Sequence, residues 1–575
     1  MKKLRERLMN DTTRVGVPAP ARACAGTGMG VRYAPAPKYA RWTGATPLVR
    51  SIVNGRRREL HGPARSHTVA GSLVAAVLLI SASLAAAGIS WAQSPTRAVS
   101  AHLDPDHWAV AAAQRLAALG LAPDGFGWGE RALSIHEVRR VFRTAAERAP
   151  VEAPAYAALA RDYLDRFDEE FGASPWSEEE SGYGAARGLT GSLDAGYSLR
   201  EGRVLAGVGY NNEDDWTGAI PANDVSTPFA GGTLRLAAHP RFALEVAAQY
   251  DDQDPDIRGA EVRASWRNVA AWVGRRRMGF GPGAGGGIVL TGIESLDAVG
   301  LESLDPFALP GPLGHLGAIR IEAAFSRIQN GDRIRDPWFW VGRLAFEPHR
   351  RLQIGLTRAV MLGGEGNSAW TPRNVLYALI GKHAGEMGEF DNQVLAFDVH
   401  YRPPLGAIPL LLYLEWGLDD SAGAFKDVPA IVAGVFVPSI PIFPSASLRL
   451  EHTVFDEACC GNTIWYRNWA FRGGWTDAGI PLGHPLGGHG REWLAELRTD
   501  LHEARLRMAV GARLRHRGDE NLFAPQRTGD AVGVWLRGAL RASRRIEVFV
   551  AGAVERGEAD WEERSLDIGM RWLYR

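Results

Sequence analysis

The 575-residue sequence predicts a mainly β protein: a large antiparallel transmembrane β-barrel preceded by a small α-helical region. Three observations carry that prediction. From about residue 185 onward the apolar residues recur with period 2 instead of 3.6. Trp and Tyr recur near the ends of the alternating segments. The last segment, Leu566, Ile568, Met570, Trp572 and Tyr574, alternates with Asp567, Gly569 and Arg571 and ends in aromatics, although Arg575 follows.

Residues 1–92 read as a leader. Val69 to Ile89 is apolar and uncharged, with Arg56, Arg57, Arg58 and Arg65 before it and Ser90, Trp91, Ala92 after it. A basic stretch, an apolar run and a small-residue site are the three parts of a secretory signal peptide, with cleavage expected near Ala92; a single anchor helix is the alternative. Residues 1–52 exceed the usual length of such a leader, which suggests a true start downstream, near Val53. The 65 basic and 65 acidic residues sum to zero, but the leader holds 14 basic and 3 acidic ones, leaving 51 and 62. The exported part is therefore acidic, which disfavours a nucleic-acid partner. It retains Cys459 and Cys460, which either pair with each other or stay reduced.

Residues 93–180 read as helices and a linker. Trp108 to Leu119 shows three-to-four spacing and ends at Gly120, a fitting C-cap. Ser134 and Glu137 form a capping box ahead of Val138, Val141 and Phe142. A third helix is expected over Ala153–Phe167, with Asp168, Glu169, Glu170 and Glu178–Glu180 as solvated linker.

Residues 185–575 supply the strands. Between Arg505 and Arg515 every even position is apolar or small (Leu506, Met508, Val510, Ala512, Leu514), and Arg505, Arg507, Arg513 and Arg515 sit at odd ones. The same alternation appears at Leu193–Leu199, Phe242–Tyr250, Ile319–Phe325, Leu395–Tyr401 and Val532–Leu536. A soluble sandwich or propeller could also use such strands. A membrane barrel fits better, because no blade-like repeat is present. Trp266, Trp338, Trp340, Trp416, Trp535 and Trp572 suit interfacial girdles. At about 22 residues per strand and connection, roughly 16–18 strands fit. Mean hydropathy of −0.15 excludes a bundle of many transmembrane helices.

Two loops stand out. Gly279 to Gly292 is Gly-rich, but it lacks the Gly-Lys-Ser/Thr ending of a phosphate loop; Gly281, Pro282 and Gly283 are read as structural, close-packing positions. The stretch from Trp465 to Trp493 is dense in Trp, Arg, Gly and Pro. Trp465, Tyr466, Arg467, Trp469, Trp475, Asp477, His484 and Arg491 are candidate glycan-binding residues, since flat rings stack on sugars while Arg and Asp bond hydroxyls. The competing reading makes these aromatics the packed core of a large loop. His484 and His489 lack a supporting ligand pattern, so no metal is assigned, and neither a cofactor nor a catalytic nucleophile–base pair is expected.

With these segments in view, the sequence resembles the Wzi-type capsule-assembly family of outer-membrane β-barrels. The resemblance is carried by Gly279–Leu290, by Pro310–Gly317 and by Tyr466, Gly474, Trp475, Thr476 and Gly479–His484. Phe280 and the glycines after Pro282 depart from the family pattern. The resemblance implies a barrel of about 18 strands, largely closed by its loops, with the helical region in the periplasm. It also implies a non-enzymatic role in binding or assembling capsular or surface polysaccharide. The other partners expected are outer-membrane lipid and the barrel-insertion machinery, with the protein a monomer. A porin or solute channel, with Arg rows lining the lumen, is the second reading.

Overall fold

The computed structural model describes residues 98–172, 188–206, 220–250, 255–330, 334–379, 385, 389–405, 408–419, 430–455 and 465–574. The expected leader, the acidic stretch at 178–180 and both retained cysteines lie outside these residues.

Eighteen long strands form one sheet. In chain order they are β1 (Gly188–Glu201), β2 (Val225–His239), β3 (Phe242–Tyr250), β4 (Pro255–Trp266), β5 (Val269–Arg277), β6 (Ser295–Ser303), β7 (Ala318–Arg327), β8 (Trp338–His349) and β9 (Leu352–Leu362). They continue as β10 (Asp391–Tyr401), β11 (Leu411–Asp419), β12 (Ala430–Val437), β13 (Ala446–Phe455), β14 (Gly490–Leu501), β15 (Leu506–Arg517), β16 (Gly529–Arg541), β17 (Ile546–Gly557) and β18 (Glu562–Tyr574). Each pairs antiparallel with its sequence neighbours, and β1 closes the ring on β18 in the register Gly191↔Tyr574, Leu193↔Trp572. Closure leaves no unpaired strand edge.

The two faces of the wall are inverted relative to a soluble protein. Val510, Leu514, Val532, Val534, Val550 and Ile568 are exposed on the outside. The alternate positions are buried and charged. Arg343 Nη1 bonds Asp398 at 2.6 Å with both side chains 1% exposed, and Arg515 Nη1 reaches Glu555 at 2.9 Å. Such an arrangement suits a hydrocarbon exterior and a polar interior. Trp535 departs from the girdle expected of it: odd positions of β16 face inward, so its ring lies in the lumen, with Nε1–H 3.4 Å from Glu496 Oε2.

Connections differ sharply between the two ends. At one end His239–Phe242, Trp266–Val269, His349–Leu352 and Leu501–Leu506 are tight turns; at the other the links span 278–294, 363–390 and 456–489. Inside the tight-turn end sit helices α1 (Trp108–Ala118), α2 (Ile135–Glu152) and α3 (Ala157–Phe171). Gly120, at φ +86°, ends the first helix, and Ser134 Oγ accepts the Glu137 N–H at 3.2 Å to start the second. The third begins later than expected, because Pro154 opens a 3₁₀ turn, Pro154–Tyr156, ahead of it.

The helix also runs through the acidic triplet expected to be linker. Asp168 pairs with Arg139, Glu169 with Arg541 and Arg544, and Glu170 with His107. Trp108, Phe142, Tyr163 and Phe167 pack at the centre of the helices. Arg115 donates to Pro438 O (2.7 Å) and Pro444 O (2.8 Å) and pairs with Asp500 (3.0 Å), while Arg166 pairs with Glu547 at 2.6 Å. The helices are thus bonded to the wall through buried ion pairs.

Among the described residues, one helix packs on the outer side of the ring. Helix α4 (Pro372–Leu379) packs Val375, Tyr377 and Ala378, together with Phe390, against Trp338, Trp340, Val360 and Leu362 at the ends of β8 and β9.

Substituting outward Val510 with Arg is expected to destabilise the barrel by about 2–4 kcal/mol when it is unfolded from lipid vesicles with denaturant. Replacing Arg343 with Ala leaves the buried Asp398 carboxylate without its guanidinium partner, and is expected to cost about 3–5 kcal/mol in the same assay.

Candidate functional site

The long-loop end is closed by three interlocked segments. In the Gly-rich segment Phe280 N–H donates to Leu290 O at 2.8 Å, turning the chain back on itself. Its amides then face carboxylates of the wall. Glu451 Oε2 accepts from Ala284 N at 2.7 Å, Glu451 Oε1 from Gly285 N at 2.9 Å, and Glu415 Oε2 from Ile288 N at 3.2 Å. Glycine is required for this approach. Gly281 holds φ +107°, and a Cβ on Gly287 would lie 1.8 Å from Phe280 O. The segment therefore binds protein carboxylates through its amides, with Gly281, Pro282 and Gly283 at the turn that brings it to the wall. It also meets the helical region, since Gly281 N–H donates to Gly129 O and Arg131 N–H to Gly279 O.

The aromatic segment lies over the first. Tyr466 Oη donates to Ile288 O at 2.6 Å and accepts His484 N–H at 2.9 Å; Trp475 Nε1 donates to Val289 O at 2.9 Å. Trp475 meets Phe339 edge-on at 5.6 Å, and Trp465 meets Phe455 at 5.4 Å. The third segment, around Asn521, is tied in by Asn521 Nδ2 bonds to Leu486 O (2.8 Å) and His489 O (2.7 Å). Arg467 spans to it, reaching Glu520 at 3.1 Å and Asn521 O at 3.0 Å.

The sequence-predicted residues thus fall into two groups. Trp465, Tyr466, Trp475 and His484 are buried, at 3%, 1%, 0% and 0% exposure, and Arg467 is buried with them. None of these rings has a face open to a sugar; they pack in the loop core. Trp469 and Asp477 are half-buried, and Asp477 accepts Gln329 N–H at 2.7 Å. Arg491 stands apart. It is exposed at the start of β14, on the same outward side as Trp493.

Burial sets the charge states here. It pushes His484 down to about 3, helped by the Arg515 and Arg131 guanidiniums against the pull of Glu492, so the imidazole is neutral. Burial likewise lowers Arg467 to about 10, which leaves it cationic, and raises Asp477.

Glu415, Glu451 and Glu492, the wall carboxylates beneath these loops, were not singled out from the sequence. Their alternation with outward apolar residues (Leu414, Leu450, Trp493) is the signal that marks them as lumen-facing.

A closed 18-stranded antiparallel barrel with an inverted polarity and a filled lumen defines a plugged outer-membrane barrel. Residues 210–567 match the family described as capsule assembly protein Wzi, and the chain belongs to that family. Among solved structures it is similar to Wzi of Escherichia coli, an outer membrane protein involved in group 1 capsule assembly and a carbohydrate-binding β-barrel. The two share 15% identity over 82% of this chain and 99% of that one, with a TM-score of 0.61. Weaker similarities include Pseudomonas aeruginosa OpdQ (10% identity, 68% and 98% coverage, TM-score 0.39) and OpdL (10%, 68% and 98%, 0.40). No curated protein matches the sequence.

Trp475→Ala removes a fully buried ring and its bond to Val289. It is expected to destabilise the loop packing by about 3–5 kcal/mol. Limited proteolysis should then cut the 465–490 segment while the barrel stays heat-modifiable.

Proposed function

We propose that this protein binds capsular or other surface polysaccharide at the outer face of the outer membrane and holds it for assembly, without transforming it chemically. The observation that carries this reading is the interlocked loop layer. Tyr466 and Trp475 are bonded into the Gly-rich segment, so the long-loop end presents a fixed surface in place of an open pore. Fixed surfaces bind extended polymers with little ordering cost. Family membership and the carbohydrate binding of the Escherichia coli relative support the choice of ligand.

Trp469, Asp477 and Arg491, the candidates with exposed surface, are the proposed direct contacts. Trp465, Tyr466, Arg467, Trp475 and His484 hold the surface in shape. Outer-membrane barrels keep short turns on the periplasmic side and long loops outside. That convention supports a periplasmic position for the tight-turn end and its three helices. The ring closes within one chain, which supports a monomer surrounded by outer-membrane lipid. The aromatic β18 supports delivery by the barrel-insertion machinery.

Trp469→Ala with Arg491→Ala is expected to weaken binding of purified capsular polysaccharide about tenfold, measured by co-sedimentation with proteoliposomes, through loss of a stacking face and a charged donor. Unchanged binding would overturn these contacts. In planar bilayers the protein is expected to show no large steady conductance; a stable open channel would favour the solute-channel reading instead.

A further inference from the structure

Beneath the Gly-rich segment three buried side chains converge. Glu451 of β13, Glu492 of β14 and His484 of the aromatic segment place one donor atom each within 4.8 Å of one another. All three are buried, at 2%, 1% and 0% exposure. Glu451 is already oriented: Oε1 accepts Gly285 N–H at 2.9 Å, and Oε2 accepts Ala284 N–H and the Tyr413 hydroxyl, both at 2.7 Å. Glu492 Oε2 is held by Arg515 Nε. Two atoms aimed into the cluster, Glu492 Oε1 and His484 Nε2, have no hydrogen-bond partner among the described residues. Unpartnered polar atoms this deeply buried are unfavourable unless something occupies the space between them.

Gly285 keeps that space free. A Cβ there would lie 2.7 Å from Glu492 Oε1, 3.0 Å from Glu451 Oε1 and 3.2 Å from His484 Nε2, so any side chain would intrude on all three. This adds a second reason for glycine, distinct from the tight backbone contacts of Gly281 and Gly287.

We propose that Glu451, His484 and Glu492 bind one divalent first-row transition cation, with Zn²⁺ as the natural probe. Two carboxylate oxygens and one imidazole nitrogen form a donor set suited to such ions, and Arg515, Tyr413 and the loop amides act as the outer groups that fix the ligands. Bonds of about 2.0–2.2 Å require the three donors to draw inward slightly.

His484 Nδ1 accepts Leu486 N–H at 3.1 Å, so without metal the ring proton sits on Nε2. Cation binding moves that proton to Nδ1 and releases the Leu486 amide, so Pro485 and Leu486 must readjust. The ion would tie two wall strands directly to the aromatic segment. A water bridging Nε2–H to the carboxylates is the alternative occupant.

The test uses the full-length protein in detergent, stripped with EDTA, reloaded with Zn²⁺ and desalted. The wild type is expected to retain about one zinc per chain by elemental analysis. Glu492→Gln and His484→Gln are expected to weaken zinc affinity roughly tenfold or more. Zinc-edge X-ray absorption of the wild type should show one imidazole among oxygen ligands, and this measurement stands even if either variant fails to fold. Wild type that retains no zinc, folded variants that retain as much as wild type, or a spectrum without imidazole would each overturn the proposal.

Discussion

The structure depends on one constraint: a charge turned toward the inside of the ring must find a counter-charge or hydrogen-bond donors there. With apolar residues outside, the eighteen strands turn Arg263, Arg343, Arg515, Arg517, Glu415, Glu451 and Glu555 inward. Some pair across the wall, as Arg343 does with Asp398. Others are satisfied only by what fills the lumen. Arg320 reaches Glu130 and Glu137 of the helical region at 3.0 and 2.9 Å, and Glu415 and Glu451 take the amides of the Gly-rich segment. The filling and the wall are therefore one electrostatic unit, and neither is satisfied without the other.

The same constraint explains why the two ends are closed differently. At the tight-turn end whole helices supply Arg115 and Arg166 to reach Asp500 and Glu547. At the other end backbone amides suffice, because glycines let the chain approach the carboxylates. The helical region and the loops meet in the middle through Gly129 and Gly281.

Much of this was legible in the sequence because a strand's alternation needs no partner to be seen. The inward Arg507, Arg513 and Arg515 and the outward Leu506, Met508 and Val510 follow from spacing alone. What failed to show were facts that depend on distant residues. Asp168–Glu170 reads as linker until Arg541, Arg544 and His107 are brought beside it. Trp535 reads as a girdle residue until the strand boundaries place it mid-wall. In the aromatic loop the sequence left two readings open. Carbonyls of Ile288 and Val289, 178 and 186 residues earlier in the chain, turn Tyr466 and Trp475 into core.

Helix α4, laid against Trp338, Trp340, Val360 and Leu362, gives the barrel a front. Among the described residues, a folded polypeptide flap covers the outer face at the ends of β8 and β9, where the neighbouring strands are bare. Neighbouring molecules approaching through the bilayer thus do not meet a uniform cylinder. Among the described residues they meet one marked direction, carrying the exposed Trp370 and Leu376.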